Sequence, residues 1–202
     1  MTSGTSSTEE HVVLLSEAGA PVGSAPKATV HTAETPLHLG FSCYLFDAAG
    51  RLLLTRRALS KTTWPGVWTN SFCGHPGMGE ELTEAVRRRA RDELGAELTE
   101  IRPLLPEFRY RAVDASGVVE NEICPVFTAV LDSELTPADA EVSQWQWVDA
   151  EALKRAVAEA PYAFSPWMVE QLAALAQREP ADQPDAADQN SLAPRPGWGA
   201  PA

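Results

Sequence analysis

Cysteine, long apolar runs and positive charge are all scarce in this 202-residue chain. Three cysteines, Cys43, Cys73 and Cys124, are too few and too scattered for a disulfide framework. Their odd number fits a reducing compartment, so a cytoplasmic protein is expected. No apolar run approaches the roughly 18 residues that span a bilayer. Sixteen Lys and Arg against 28 Asp and Glu leave a net charge of −12 and a pI near 4.7. That balance argues against nucleic acid or an anionic membrane as the main partner, because phosphate backbones reward a basic surface. A small phosphorylated substrate held by a few local cations stays open. The opening MTSGTSSTEE has neither a basic start nor an apolar core, so no secretory signal is expected. No repeat period is visible, and the length suits one well-cored domain rather than two.

The chemistry that is present concentrates between Trp64 and Gly95, WPGVWTNSFCGHPGMGEELTEAVRRRARDELG. Cys73 and His75 flank Gly74 there, Gly77 and Gly79 follow, and a helix is predicted to end at the C-cap Gly95. A helix N-terminus behind flexible glycines suits a phosphate. At about 100° per residue, Leu82, Ala85, Val86 and Ala90 define the apolar sector of that helix. Arg89 and Glu93 fall inside the same sector, where charges rarely sit without a function or a partner. The plain reading is a self-neutralising i, i+4 pair; the functional one gives each charge a ligand.

Along the rest of the chain, residues 1–10 and 179–202 are expected to be disordered, leaving one domain over 11–178. HVVLL reads as a first strand, followed by a loop carrying His31 that runs to Thr35. Leu37 to Phe46 reads as one strand and forms a hairpin with Arg51 to Arg57 through the turn DAAG. Arg56, Arg57 and Lys61 make a cationic cluster that could equally be a solvated surface. Another extended segment begins at Leu104 to Tyr110, and VVENEICPVFTAVL reads as one long strand. Glu120 and Glu122 stand at i, i+2 in that strand, so both carboxylates project from one face and need something positive between them. A further strand at EVSQWQWV and a helix from Ala150 to Ala160 come next. Ser165 and Pro166 then provide an N-cap and N1 pair for a last helix with Trp167 in its first turn. Antiparallel hairpins around one crossover helix, with a helix near the end, predict an α+β fold or an α/β fold with a mixed sheet flanked by helices.

Five ligand-type side chains have no other obvious role, namely His31, His38, His75, Glu120 and Glu122. Three imidazoles with two carboxylates suit one divalent ion such as Mn²⁺, Fe²⁺, Zn²⁺ or Mg²⁺.

The stretch from Gly74 to Ala96 resembles the Nudix box, a glycine, five residues, a glutamate, seven residues, then Arg-Glu-apolar-x-Glu-Glu-x-Gly-apolar. Gly74, Glu80, Arg88, Ala90, Asp92, Glu93, Gly95 and Ala96 fall in register. Arg89 stands where the box has a glutamate, and Asp92 shortens another acid. The resemblance implies a Nudix-like α/β/α sandwich that has lost a hydrolytic glutamate and kept diphosphate binding. The phrases HTAETPLHL, LLTRRALSK, WPGVWTNSFCGHP, FRYRAVDASGVVENEICPVF and AFSPWM are similar to those of the type I isopentenyl-diphosphate Δ-isomerases, from about His11 to Met168. That family resemblance implies interconversion of isopentenyl and dimethylallyl diphosphate, without flavin, by a monomer or weak homodimer. It implies Cys73 and a metal-bound Glu122 as the acid and base. Glu122, assisted by Tyr110, would protonate isopentenyl diphosphate and the Cys73 thiolate would deprotonate. Trp167 would face the carbocation, a role it shares with ordinary core packing. Lys27, Arg57, Lys61 and Arg89 would hold the diphosphate, and Mg²⁺ would bridge it to Glu93 with the Cys73 backbone carbonyl nearby. Cys43 and Cys124 are expected to be inert strand thiols. The rivals are a Nudix diphosphate hydrolase and a catalytically silent nucleotide-binding module.

Overall fold

The structure, a computed structural model, describes residues 10–177. The two segments expected to be disordered therefore lie outside the described residues apart from Glu10. Two sheets form the frame. The first has the order β2 (Pro21–Pro26), β1 (His11–Leu15), β3 (His38–Leu39), β10 (Val119–Ile123), β9 (Arg109–Val113). The second has the order β12 (Val142–Val148), β5 (Leu52–Arg57), β4 (Phe41–Phe46), β11 (Val126–Leu131), β8 (Leu98–Leu105). Two short strands extend it, β6 (Trp68–Thr69) on β5 and β7 (Phe72–Gly74) on β4. β2 pairs with β1 where only a break after the first strand is expected, and a single turn, α1 (Lys27–Val30), opens the segment from Lys27 to Thr35 expected to be a loop.

Two long strands expected from the sequence are each cut in two. Leu37 to Phe46 divides at Gly40 into β3 and β4, and residues 118–131 divide at Cys124 and Pro125 into β10 and β11. The cuts face each other, because β3 runs parallel to β10 and β4 parallel to β11. Hydrogen bonds from Gly40 N to the Ile123 carbonyl (2.9 Å) and from Ser42 N to the Pro125 carbonyl (3.1 Å) stitch the joint. Pro125 has no N–H to give a ladder. Gly40 is needed because a Cβ there would lie 2.2 Å from Oε2 of Glu122. The chain therefore passes from one sheet to the other at the position where Glu122 approaches the backbone.

The second sheet is covered on both sides. Phe41, Cys43 and Leu45 of β4 pack with Ala85, Val86, Ala90 and Leu94 of helix α2 (Leu82–Leu94). Tyr44 and Phe46 point the other way, into the cluster with helices α3 (Ala150–Glu159) and α4 (Pro166–Ala176). That alternation is the period of two of a strand buried on both faces. Fully burying a large apolar side chain contributes about 1.5–3 kcal/mol, so β4, buried along its whole length, anchors both layers. Helix α2 ends as expected: Gly95 takes a left-handed φ of 59°, with its N–H on the Arg91 carbonyl and that of Ala96 on the Ala90 carbonyl. Ser165 precedes α4 as expected, but its hydroxyl makes no cap and sits 2.8 Å from Thr69 Oγ1.

Candidate active site

Four ligand-type residues converge at the joint between the sheets. His38 on β3 and Glu122 on β10 are register partners, and Glu122 is also opposite Tyr110 on β9. His31 follows α1 and His75 follows β7, so four separate segments meet. One ligand atom from each of His31, His38, His75 and Glu122 lies within 4.8 Å of the others. Ligands on opposite sides of an ion at ~2.1 Å are about 4.2 Å apart, so the group needs to contract by only a few tenths of an ångström. The donor chemistry fits an ion as well. Nδ1 of His75 is buried with no hydrogen-bond partner among the described residues, and Nε2 of His31 and of His38 are buried facing only carboxylate oxygens, with no well-formed hydrogen bond. A buried polar atom left so costs roughly 1–3 kcal/mol, and a divalent cation would remove that cost. His38 Nδ1 must donate to the Pro36 carbonyl at 3.0 Å, which leaves Nε2 as a free lone pair turned inward.

The carboxylates differ. Glu122 Oε1 accepts from His75 Nε2 at 3.0 Å and lies 3.4 Å from His38 Nε2. Burial alone would raise its carboxyl, but the His38 and His75 imidazoles held against it outweigh this and keep it well below the usual carboxylate range. Glu120, expected as a fifth ligand, stands one step outside the group of four: Oε2 is 3.1 Å from His31 Nε2 while Oε1 accepts from Thr63 at 2.9 Å.

Cys73 sits beside this group in a polar nest absent from the sequence-based reading. Its Sγ is 3.3 Å from Ser42 Oγ and accepts from Asn70 Nδ2 at 3.3 Å. Asn70 is fully buried, and its Oδ1 also receives the Trp167 indole N–H at 2.9 Å. Ser42 in turn accepts from Gln171 Nε2 at 2.9 Å, and Gln171 accepts from Tyr44. The one signal available was a polar residue inside an apolar stretch: Asn70 before SFCG, and Gln171 four residues after Trp167 on the same helix face. Burial pushes the Cys73 thiol up to about 12, with the Ser42 and Asn70 hydrogen bonds offsetting only part. Cys43 is a buried thiol on β4, and Cys124 is buried too, at the break between β10 and β11 rather than in the expected strand.

One cavity of about 430 Å³ connects these groups. Cys73, His75, Tyr110, Glu122 and Trp167 line it, and so do all four expected diphosphate cations, Lys27, Arg57, Lys61 and Arg89. Trp167 packs edge-on against Trp64 at 5.4 Å and lies 5.9 Å from the Tyr110 ring. Arg57 donates to the Thr63 carbonyl at 2.9 Å and holds its guanidinium carbon 5.4 Å from the Trp167 ring centroid. Arg89 and Glu93 form the i, i+4 pair of the plain reading, with Nε to Oε1 at 3.0 Å, yet both still line the cavity. Burial pushes the Glu93 carboxyl up, with Arg89 opposing. Among the described residues no helix is long and apolar enough to cross a membrane.

Fold and sequence comparisons agree on the class. Residues 36–168 match the NUDIX domain. A solved protein from Deinococcus radiodurans superposes with a TM-score of 0.63 at 24% identity, covering 84% of this chain and 100% of that one, a likeness of fold alone. This is a Nudix-fold protein. Curated proteins named isopentenyl-diphosphate Delta-isomerase stand nearer. That of Leifsonia xyli subsp. xyli is 61% identical over 82% of this chain and 91% of its own length. That of Clavibacter michiganensis is 62% identical, covering 82% and 86%, and that of Klebsiella pneumoniae 56% identical, covering 79% and 87%. The chain belongs to the isopentenyl-diphosphate Delta-isomerase family within the Nudix superfamily.

Proposed function

We propose that this chain interconverts isopentenyl and dimethylallyl diphosphate, a step of isoprenoid biosynthesis, with Cys73 and Glu122 as its acid–base pair. The name shared by its relatives supports the reaction. The observation that carries the residue roles is that Cys73 and Glu122 line one cavity together with Tyr110 and Trp167. The terminal methylene carbon of the isopentenyl group gains a proton, leaving a tertiary cation at the branch carbon, and the neighbouring methylene then loses one. Atoms and charge balance without any electron transfer, so the reaction calls for no flavin.

Glu122 and Tyr110 form the protonating side. Burial and the Glu122 and Glu120 carboxylates push the Tyr110 phenol well above its usual value, so it keeps a proton next to Glu122. Cys73 takes the proton from the other carbon. After one turnover in this direction the thiol is protonated and Glu122 is a carboxylate. A net proton must then return to the Glu122 side before the next turnover. In the reverse direction the thiol donates and the carboxylate accepts. Trp167 supplies a polarizable wall, and Arg57 already uses that ring as a cation–π face.

A divalent ion, Mn²⁺, Zn²⁺ or Mg²⁺, would be held by His31, His38, His75 and Glu122, with Glu120 beside them, and would supply positive charge that fixes the Glu122 carboxylate. Mg²⁺ carried with the diphosphate would meet Glu93 and the Cys73 backbone carbonyl. Lys27, Arg57, Lys61 and Arg89 orient the diphosphate. Cytoplasmic placement, a monomer or weak homodimer, and no nucleic-acid or membrane partner complete this reading. Proton NMR of isopentenyl diphosphate with the protein and Mg²⁺ in D₂O tests it: dimethylallyl diphosphate with deuterium in a methyl group is expected. Phosphate release without that product would instead indicate a Nudix hydrolase.

A further inference from the structure

Six charged side chains share one part of the cavity wall: Glu10, Lys27, Lys61, Arg89, Glu93 and Glu141. They alternate in sign. Glu10 reaches Lys27 Nζ with Oε2 at 2.7 Å and Arg89 Nη1 with Oε1 at 3.4 Å. Glu141 pairs with Lys61 through Oε2 and sets Oε1 3.5 Å from Arg89 Nη2. Glu93 takes Arg89 Nε at 3.0 Å. Three cations meet three carboxylates, so the side chains expected to draw a diphosphate are already neutralised. Arg57, the fourth, directs its donors to the Thr63 carbonyl.

Glu10 and Glu141 each spread their two oxygens over two cations from different segments, as a phosphoryl group does. They also differ from Glu93 in exposure: their side chains are 49% and 23% exposed against 10% for Glu93, so each has water beside it to turn into. Burial alone would raise both carboxyls, but the hydrogen bonds and charges of Lys27 and Lys61 outweigh it, and both are anions at neutral pH.

We infer that Glu10 and Glu141 are resident counter-ions of Lys27, Lys61 and Arg89 that the diphosphate displaces on binding. The inference rests on the proposed function for the identity of the anion.

Calorimetric titration of inorganic pyrophosphate and of inorganic phosphate into the metal-loaded full chain, with Mg²⁺, tests the exchange. Glu10→Gln and Glu141→Gln are each expected to tighten pyrophosphate by roughly two- to fivefold, the scale of a partly exposed ion pair. Phosphate is expected to tighten by a similar factor, since either anion displaces the same carboxylates. Glu10→Ala and Glu141→Ser repeat the measurement should a glutamine variant fail to fold. Unchanged or weaker pyrophosphate binding overturns the inference. A purely structural pair gives a lower melting temperature without tighter binding, and so overturns it too. Because calorimetry reads binding without turnover, pyrophosphate binding in a protein that makes no dimethylallyl diphosphate would count against the isomerase reading alone.

Discussion

Gly40→Ala should damage the metal group without removing a single functional atom. The added Cβ would stand 2.2 Å from Glu122 Oε2, 2.7 Å from its Cδ and 3.3 Å from Oε1. Ordinary non-bonded contact is about 3.5 Å, so the carboxylate has to retreat by roughly 1 Å. That is enough to break the 3.0 Å contact with His75 and to widen the 3.4 Å approach to His38. The backbone itself accepts alanine, since Gly40 is not among the positive-φ residues. Overpacking of this kind costs about 1–3 kcal/mol. In a domain of this size each kcal/mol lowers the melting temperature by about 2–4 °C. Displacing a ligand should weaken metal binding about 10–100-fold, as loss of a supporting contact does. Metal content after dialysis against a graded chelator, measured by mass spectrometry beside calorimetric melting, separates the two effects. A Gly40→Ala protein that keeps its metal at wild-type affinity would refute the reasoning, because Glu122 would then not depend on the absence of a side chain at the sheet joint.

Trp167→Phe keeps an aromatic face but loses the indole hydrogen bond to Asn70, so reduced turnover is expected. Trp167→Ala loses the face as well, worth roughly 2 kcal/mol or ~30-fold in kcat, and an undiminished kcat would remove Trp167 from the mechanism. Arg89→Ala leaves Glu93 buried without its partner and should cost about 3–5 kcal/mol in urea unfolding; a loss of under ~1 kcal/mol would show that Glu93 finds another counter-charge. Glu80, held by Arg88 through two contacts of 2.8 Å, has its carboxyl kept below the usual value mainly by that hydrogen bond. Its folded form favours the anion, so its stabilisation is present above the ordinary glutamate pKa and is lost as pH falls through the lowered one. Glu80→Gln should therefore flatten the acid limb of stability against pH, and an unchanged limb in acid titration would contradict this.

Local signals carried much of the fold. Gly95 announced the end of α2 because a left-handed C-cap needs only its own residue, and Pro166 announced the start of α4 in the same way. The i, i+2 spacing of Glu120 and Glu122 placed both in one cavity, as strand geometry requires. What was not legible depended on partners distant in the chain. Nothing near Gly40 says that Glu122 will press against it, so one strand was expected where two belong to different sheets. Glu10 meets Arg89 across 79 residues, and no local pattern foretells that pairing. The nest of Asn70, Ser42 and Gln171 around Cys73 draws on three elements at once. Arg89 and Glu93 were recognisable as charges on a buried face, but whether they would seek each other or a ligand is decided by Glu10, Glu141 and Lys61, which come from elsewhere.

The central claim is that Cys73 and Glu122 handle protons at two different carbons of one bound substrate. Incubating the metal-loaded Cys73→Ala and Glu122→Gln proteins with isopentenyl diphosphate in D₂O, and following product by proton NMR, tests it most directly. Loss of a general acid or base costs about 10²–10⁴-fold, so both variants should form dimethylallyl diphosphate at least ~100-fold more slowly than the wild type. Either variant forming deuterated dimethylallyl diphosphate at the wild-type rate would contradict the account.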